Sequence, residues 1–259
     1  MARLFLELCY IGTNYHGWQV QPNGVTVQER VQDAIEKVTG VRSGLTGCSR
    51  TDAGVHAAMF CCAFDTESPL RGEKMTAALN AWLPTDIAVT SCREVPAAFH
   101  PRYDALGKEY RYLIWNAPAR NPFWEGRALY QRRRLDVSVM DAAAAAFLGT
   151  HDFSAFCSAG SEVEDRVRTV TKSTVCREGN LVTFSVAADG FLYNMVRIMM
   201  GTLLDIESGK RPADGIPALL SGGDRDGAGP TAPAHGLYLH RVFYEWDKKE
   251  ETPWPANET

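Results

Sequence analysis

What most limits how this chain can fold is an order of elements that runs through it twice. In the first pass, Leu4 to Tyr10 predicts a strand and Thr26 to Val38 a helix. Thr26 with Glu29 reads as a capping box, and Val27, Val31, Ala34, Ile35 and Val38 fall on one helical face. A short strand near Leu45 leads into a glycine-rich turn. Met59 to Phe64 is the next strand, Arg71 to Leu83 a helix stopped by Pro84, and Ile87 to Val95 a strand. In the second pass, Lys108 to Trp115 is a strand with Tyr110, Tyr112 and Ile114 on one side and Arg111, Leu113 and Trp115 on the other. Asp136 to Leu148 is an alanine-rich helix. Arg168 to Arg177 and Leu181 to Ala188 form a hairpin around Glu178-Gly179-Asn180. Leu192 to Ile206 is a helix and Gly236 to Tyr244 the last strand.

Each pass reads β-α-β-β-α-β, the split ferredoxin-like pattern. The expected fold class is therefore α+β: two ferredoxin-like halves, residues 1–104 and 105–247, joined into one antiparallel sheet. Ser221 to Ala234 is rich in Gly, Asp and Pro and reads as a loop. Residues 248–259, with two prolines and many charges, read as a loose tail. At 259 residues, one large core or two fused halves are both open, and an apolar content of 45% excludes a disordered chain.

Charge and cysteine content narrow the function classes. Acidic residues number 31 and basic residues 27, a net charge of −4. A protein that coats nucleic acid by bulk charge would be basic, so any nucleic-acid surface here must be a local cluster of Lys and Arg. The seven cysteines (Cys9, Cys48, Cys61, Cys62, Cys92, Cys157 and Cys176) include no C-x-x-C spacing. A disulfide framework or zinc site is not expected, and a reducing cytoplasm fits best. The six histidines show no metal-ligand spacing, so no metal is expected. Glu7 interrupts Leu4-Phe5-Leu6, so no export signal is expected. The longest apolar runs, such as Ala142 to Leu148, fall far below the roughly 20 residues of a membrane span.

Some motifs mislead. Gly227-Ala228-Gly229-Pro230-Thr231-Ala232 spells G-x-G-x-x-A, but no strand precedes it and Pro230 interrupts it. No P-loop is present. Gly47-Cys48-Ser49-Arg50-Thr51 approaches a nucleophile elbow without the closing glycine. Three other stretches are informative. Gly47 to Ala57 packs Arg50, Asp52 and His56 between and beside two glycines just before a strand; it is either a functional loop or a turn in which Asp52 and Thr51 bond backbone N–H groups. Phe99-His100-Pro101-Arg102-Tyr103 and Gly107 to Tyr112 interleave aromatic and basic groups. They suit stacking and phosphate contact with RNA, or a half-buried strand with solvated cations. Gly190 to Arg197 sets Arg197 in an apolar helix, where it needs an acidic partner or must reach the surface.

Together these segments resemble the tRNA pseudouridine synthases that act on positions 38 to 40 of the anticodon arm. The likeness runs from Leu4-Leu6-Leu8 with Tyr10, Gly12, Tyr15, Gly17 and Trp18, through Arg50-Thr51-Asp52-Ala53-Gly54-Val55-His56, to Thr231-Ala232-Pro233-Ala234-His235-Gly236-Leu237-Tyr238-Leu239. The resemblance implies the pseudouridine synthase fold, a homodimer, tRNA as the partner, and uridine isomerisation without cofactor or metal. It implies Asp52 as the catalytic aspartate, Tyr110 on the base, Arg197 as the partner of Asp52, and Arg50 near the flipped nucleotide. The chain departs from many members at Ser49, where Gly is common, at Asn194, where His is common, and at Ile198, where Asn is common. Ser49 would be strained if its backbone needs positive φ.

The chemistry fits those residue types. Uracil must leave C1′, rotate and rejoin through C5, and a carboxylate can both attack and depart. Attack at C1′ of the ribose and at C6 of the ring are both open. The base must leave its stack, and a tyrosine ring can cover it. Phosphate contacts could come from Arg102, Lys108, Arg111, Arg132, Arg133, Arg134, Arg166 and Arg168. Two rivals remain: a non-catalytic RNA-binding sheet protein, and a hydrolase using Cys48 or Ser49.

Overall fold

The computed structural model describes residues 1–160 and 163–249. The chain divides into two compact units, one of Met1–Leu106 with Tyr238–Glu245, the other of Gly107–Leu237 with the described residues from Trp246 to Lys249. The architecture is α+β, with a largely antiparallel sheet in each unit.

The first unit contains β1 (Ala2–Tyr10), α1 (Val27–Thr39), β2 (Leu45–Gly47), β3 (His56–Thr66), α2 (Gly72–Asn80) and β4 (Ile87–Val95). β1 is central and pairs antiparallel with β3 on one side and β4 on the other. Its register sets Leu4 opposite Phe64, Leu6 opposite Cys62 and Leu8 opposite Phe60. Leu4, Phe5, Leu6 and Leu8 are all fully buried, so this strand is covered on both faces. Phe5 meets Phe99 and Tyr244 edge-on at 5.5 and 5.4 Å. The expected cap of α1 is present: the Thr26 hydroxyl accepts the Glu29 N–H at 3.3 Å, and Gly40 ends the helix at φ 76°. α2 ends at Asn80, short of the expected Leu83, where Pro84 disfavours helical backbone.

The second unit contains β5 (Gly107–Asn116), β6 (Leu129–Gln131), α3 (Val137–Ala144), β7 (Gly149–Asp152), β8 (Val167–Glu178), β9 (Leu181–Ala188), α4 (Met195–Glu207) and α5 (Gly215–Leu220). The strands run in the order β5-β9-β8-β7, all antiparallel, and β6 lies parallel to the end of β5. Tyr112, Phe184 and Val175 stand side by side across three strands and are buried. α3 packs on β8 and α4. The expected helix Asp136–Leu148 gives way to a 3-10 turn at Ala145–Phe147, and Gly149 then turns the chain at φ 103°. The expected helix from Leu192 starts at Met195, because Asn194 is left-handed at φ 60°. The last strand, β10 (Leu237–Phe243), pairs in parallel with β3, setting Tyr238 beside His56 and Leu239 beside Ala57. The chain thus returns to the first unit after completing the second. Of the expected tail, residues 248–259, the first two end a 3-10 turn over Glu245–Lys249 and the rest lies outside the described residues. Among the described residues no helix is long and apolar enough to cross a membrane.

Candidate active site

In the first unit, Asp52 sits half-buried in the loop between β2 and β3. The loop is built from behind. The Trp18 N–H donates to Thr51 O at 3.1 Å, the Gly54 N–H to Tyr15 O at 3.3 Å, and the Val55 N–H to Asp52 O at 3.1 Å. The Tyr10 and Thr51 hydroxyls are 2.7 Å apart. Gly12 and Gly17 are close-approach glycines. A Cβ on Gly12 would lie 1.9 Å from Val55 O, and one on Gly17 would lie 2.5 Å from Thr51 O, with φ already at 85°. Trp18 stacks on Phe60 at 3.9 Å beneath the loop. The backbone around Asp52 is therefore fixed by bonds and packing that do not involve its carboxylate.

His56, the most conspicuous titratable residue of the motif, is a brace. It is fully buried, its Nδ1 accepts the Gly12 N–H at 2.9 Å, and its ring lies 4.6 Å from that of Tyr238. An accepting Nδ1 carries no proton, which leaves the imidazole neutral. Arg50 is exposed. Ser49 is not strained: Asn194 is the one non-glycine residue with positive φ among the described residues.

In the second unit, Tyr110 lies on β5 opposite Val186, is 6% exposed, and meets Phe191 edge-on at 4.9 Å. Arg197 lies in the first turns of α4, half-buried among Met195, Val196, Ile198, Met199 and Met200. Its Nε donates to Ala232 O at 2.7 Å and its Nη1 to Asn194 Oδ1 at 2.8 Å. Asn194 in turn donates through Nδ2 to Ser158 Oγ at 2.9 Å. Asn is among the few residues that accept the left-handed backbone this corner needs. The segment 230–233 that receives Arg197 is pinned to the unit. Pro233 O accepts the Tyr112 hydroxyl at 2.8 Å, and Gly229 N–H donates to Thr202 Oγ1 at 2.8 Å. Burial pushes the Tyr112 hydroxyl above its ordinary pKa, with the Arg197 charge acting the other way.

Gly229 of the apparent G-x-G-x-x-A string serves this packing. A Cβ on Gly229 would lie 2.4 Å from Thr202 N. Among the proposed phosphate contacts, Arg133 is already held by the Glu207 carboxylate, Arg111 by Glu109 at 3.0 Å, and Arg168 by Asp165 O at 3.0 Å. Arg102 lies over the exposed Tyr103 ring at 6.0 Å. Cys48 is wholly buried, which removes it as a hydrolase nucleophile. Sequence reading missed the roles of Thr51, Asn194 and Ala232, since each acts through a contact distant in the chain or through backbone.

The sequence profile of the tRNA pseudouridine synthase family matches residues 9–104 and 143–245. The chain belongs to that family. Similar relatives include tRNA pseudouridine synthase A of Acetivibrio thermocellus, 48% identical over 94% of this chain and 100% of that one. Tens of percent identity are likewise shared with tRNA pseudouridine synthase A of Ruminiclostridium cellulolyticum, at 46% over 94% of this chain and 100% of the relative, and of Shouchella clausii, at 46% over 94% of each. Membership makes the chain an isomerase, and it sets the Asp52 loop and α4 within the stretches that the family shares.

Proposed function

We propose that this enzyme isomerises uridine to pseudouridine at positions 38, 39 and 40 of the tRNA anticodon stem and loop, with Asp52 as nucleophile. The observation that carries this reading is the Asp52 loop. Its backbone is held by Gly12, Gly17, Trp18 and Tyr10, leaving a half-buried carboxylate on a rigid turn. A carboxylate so placed loses little freedom when it attacks. The reaction balances within the substrate. The C1′–N1 bond breaks, uracil rotates, C1′–C5 forms, the C5 proton leaves and N1 gains one. Asp52 bonds either to C1′ or to C6 and departs unchanged, so no oxidant or cofactor enters.

In this reading Arg197 is the counter-charge that keeps Asp52 ionised, Tyr110 covers the flipped base, and Arg50 contacts the nucleotide from an exposed position. The enzyme acts as a homodimer in the cytoplasm. One chain of net charge −4 must meet a polyanion through local cations, and a second subunit lengthens that surface. The test is incubation with unmodified tRNA followed by position-resolved detection of pseudouridine. Product at 38 to 40 with wild type and none with Asp52→Asn supports the proposal; product elsewhere, or an active Asp52→Asn, overturns it. Mass by light scattering at assay concentration tests the dimer.

A further inference from the structure

The second unit carries a cleft that none of the roles above uses. It is formed by the segment between β5 and β6 and by His235, and its walls include Trp115, Trp124, Tyr130, Arg120 and Asn121. The two indoles are nearly parallel, 18° apart with ring centres at 6.3 Å. The polar ends of Trp115 and Tyr130 are engaged. The Trp115 N–H donates to Ala119 O at 3.0 Å, and the Tyr130 hydroxyl donates to Pro118 O at 3.0 Å. Each ring thereby holds the turn at 118–119 and keeps its flat face for other contacts. The segment is stiff. Asn121 Oδ1 accepts the Phe123 N–H at 3.0 Å, Pro122 opens a 3-10 turn, and the Arg127 and Ala128 N–H groups close on Trp124 O. Phe123, beside the cleft, is 83% exposed.

The cavity is about 110 Å³, well below the roughly 300–1,000 Å³ of sites for whole drug-sized ligands or cofactors. It suits one flat ring. Around the indoles stand donors and acceptors of the kind that meet a base edge: the Asn121 amide nitrogen, Glu125, and His235. Burial lowers the His235 pKa, with Glu125 acting the other way, which favours the neutral ring. Arg120 adds a cation for a phosphate at the rim.

We infer that this cleft is a second base-binding subsite, in which an unpaired nucleobase of the substrate tRNA, other than the target uridine, stacks on the Trp115–Trp124 pair. The inference rests on the reading of the chain as a tRNA-modifying enzyme. Such a subsite orients the RNA by a sequence-tolerant contact, since every base has a face to stack. His235 lies three residues after Ala232, which holds Arg197, so the same short segment borders both places.

The experiment compares wild type, Trp124→Phe, Trp124→Ala and Arg120→Gln with an unmodified tRNA transcript, measuring equilibrium binding by filter retention and single-turnover rates over a range of enzyme concentrations. Trp124→Ala should weaken binding and raise the half-saturating concentration by about ten-fold, the effect of losing one stack, with a much smaller change in the rate at saturation. Trp124→Phe should keep most of the affinity, and Arg120→Gln should lose less than Trp124→Ala while flattening the salt dependence. Tryptophan fluorescence of wild type should be quenched by the transcript, and less so in Trp124→Ala. Melting curves identify a variant that fails to fold, in which case Trp124→Phe and wild-type quenching decide. Unchanged affinity in folded Trp124→Ala, or quenching identical to wild type, overturns the subsite. Absence of pseudouridine with wild type overturns the activity instead, because binding is measured separately.

Discussion

Arg197 and Ala232 hold each other through two hydrogen bonds that run in opposite directions. The Arg197 Nε donates to Ala232 O at 2.7 Å, and the Ala232 N–H donates to Arg197 O at 3.0 Å. The guanidinium is thus fixed in direction by main chain before any acidic group is considered. Arg197→Met should lower stability by about 1–3 kcal/mol, because a half-buried carbonyl loses its donor. It should also abolish most turnover. If Arg197 holds Asp52 ionised, its loss raises the Asp52 pKa, so residual activity climbs with pH where wild type is flat. Arg197→Lys should recover part of the pH profile but not the fork. A single-turnover pH–rate profile with a melting curve checks this; no change in either would refute the role.

Gly17→Ala tests whether the Asp52 loop must be fixed. The added Cβ would meet Thr51 O at 2.5 Å on a backbone at φ 85°, so both space and conformation oppose it. A loss of about 1–3 kcal/mol in stability is expected. Turnover at saturating tRNA should fall in the folded fraction even at low temperature, with tRNA affinity little altered. Full activity per folded molecule would show that the loop tolerates displacement.

How much of this was legible in the sequence depends on the range of the contacts. The Thr26 cap and the apolar face of α1 were readable because they repeat within a few residues. The strand hosting Tyr110 was readable from its alternation. β6, β7 and α5 were not, since three to six residues carry no period. His56 stands in the same motif as Asp52, and its part as a brace is set by Gly12, which lies 44 positions away. Asn194 was visible only as a departure from family habit. Its left-handed φ, which starts α4 late and aims an oxygen at Arg197, is a tertiary property.

Asp52→Asn keeps size and removes charge. The loop is held by backbone hydrogen bonds and by the Tyr10–Thr51 hydroxyl contact, so the fold should survive, with melting within about 0.5 kcal/mol of wild type. Turnover should drop to background while tRNA is still bound. Product formation by a pure Asp52→Asn sample near the wild-type rate would remove Asp52 from the mechanism.

Glu109 gives a pH signature away from the site. Its carboxylate is 8% exposed and accepts from Arg111 at 3.0 Å and Lys172 at 3.2 Å. Burial alone would raise its pKa, but the two cations outweigh burial and hold it below the ordinary value. A depressed carboxylate stabilises the fold above its unfolded pKa, and that contribution is lost as pH falls through the folded value. Glu109→Gln should therefore be less stable than wild type at neutral pH, and the gap should close in acid. Urea titrations at several pH values measure this; a gap independent of pH would mean that charge is not what Glu109 contributes.

Tyr110 separates stacking from proton transfer. Its ring is almost wholly buried and rests edge-on against Phe191 at 4.9 Å, so the side chain is held by its carbon framework. The proposed role is to cover the flipped uracil with the ring. Tyr110→Phe keeps that ring and the contact with Phe191; Tyr110→Ala removes both and leaves a cavity that costs about 3–5 kcal/mol. Stability must therefore be read beside activity. For a covering role, Tyr110→Phe should keep turnover within a few-fold of wild type, and Tyr110→Leu, which fills space without a flat face, should lose far more. Equal collapse of the Phe and Leu variants, with both folded, would assign the chemistry to the hydroxyl, and a covalent adduct that accumulates in Tyr110→Phe would place that chemistry at removal of the C5 proton.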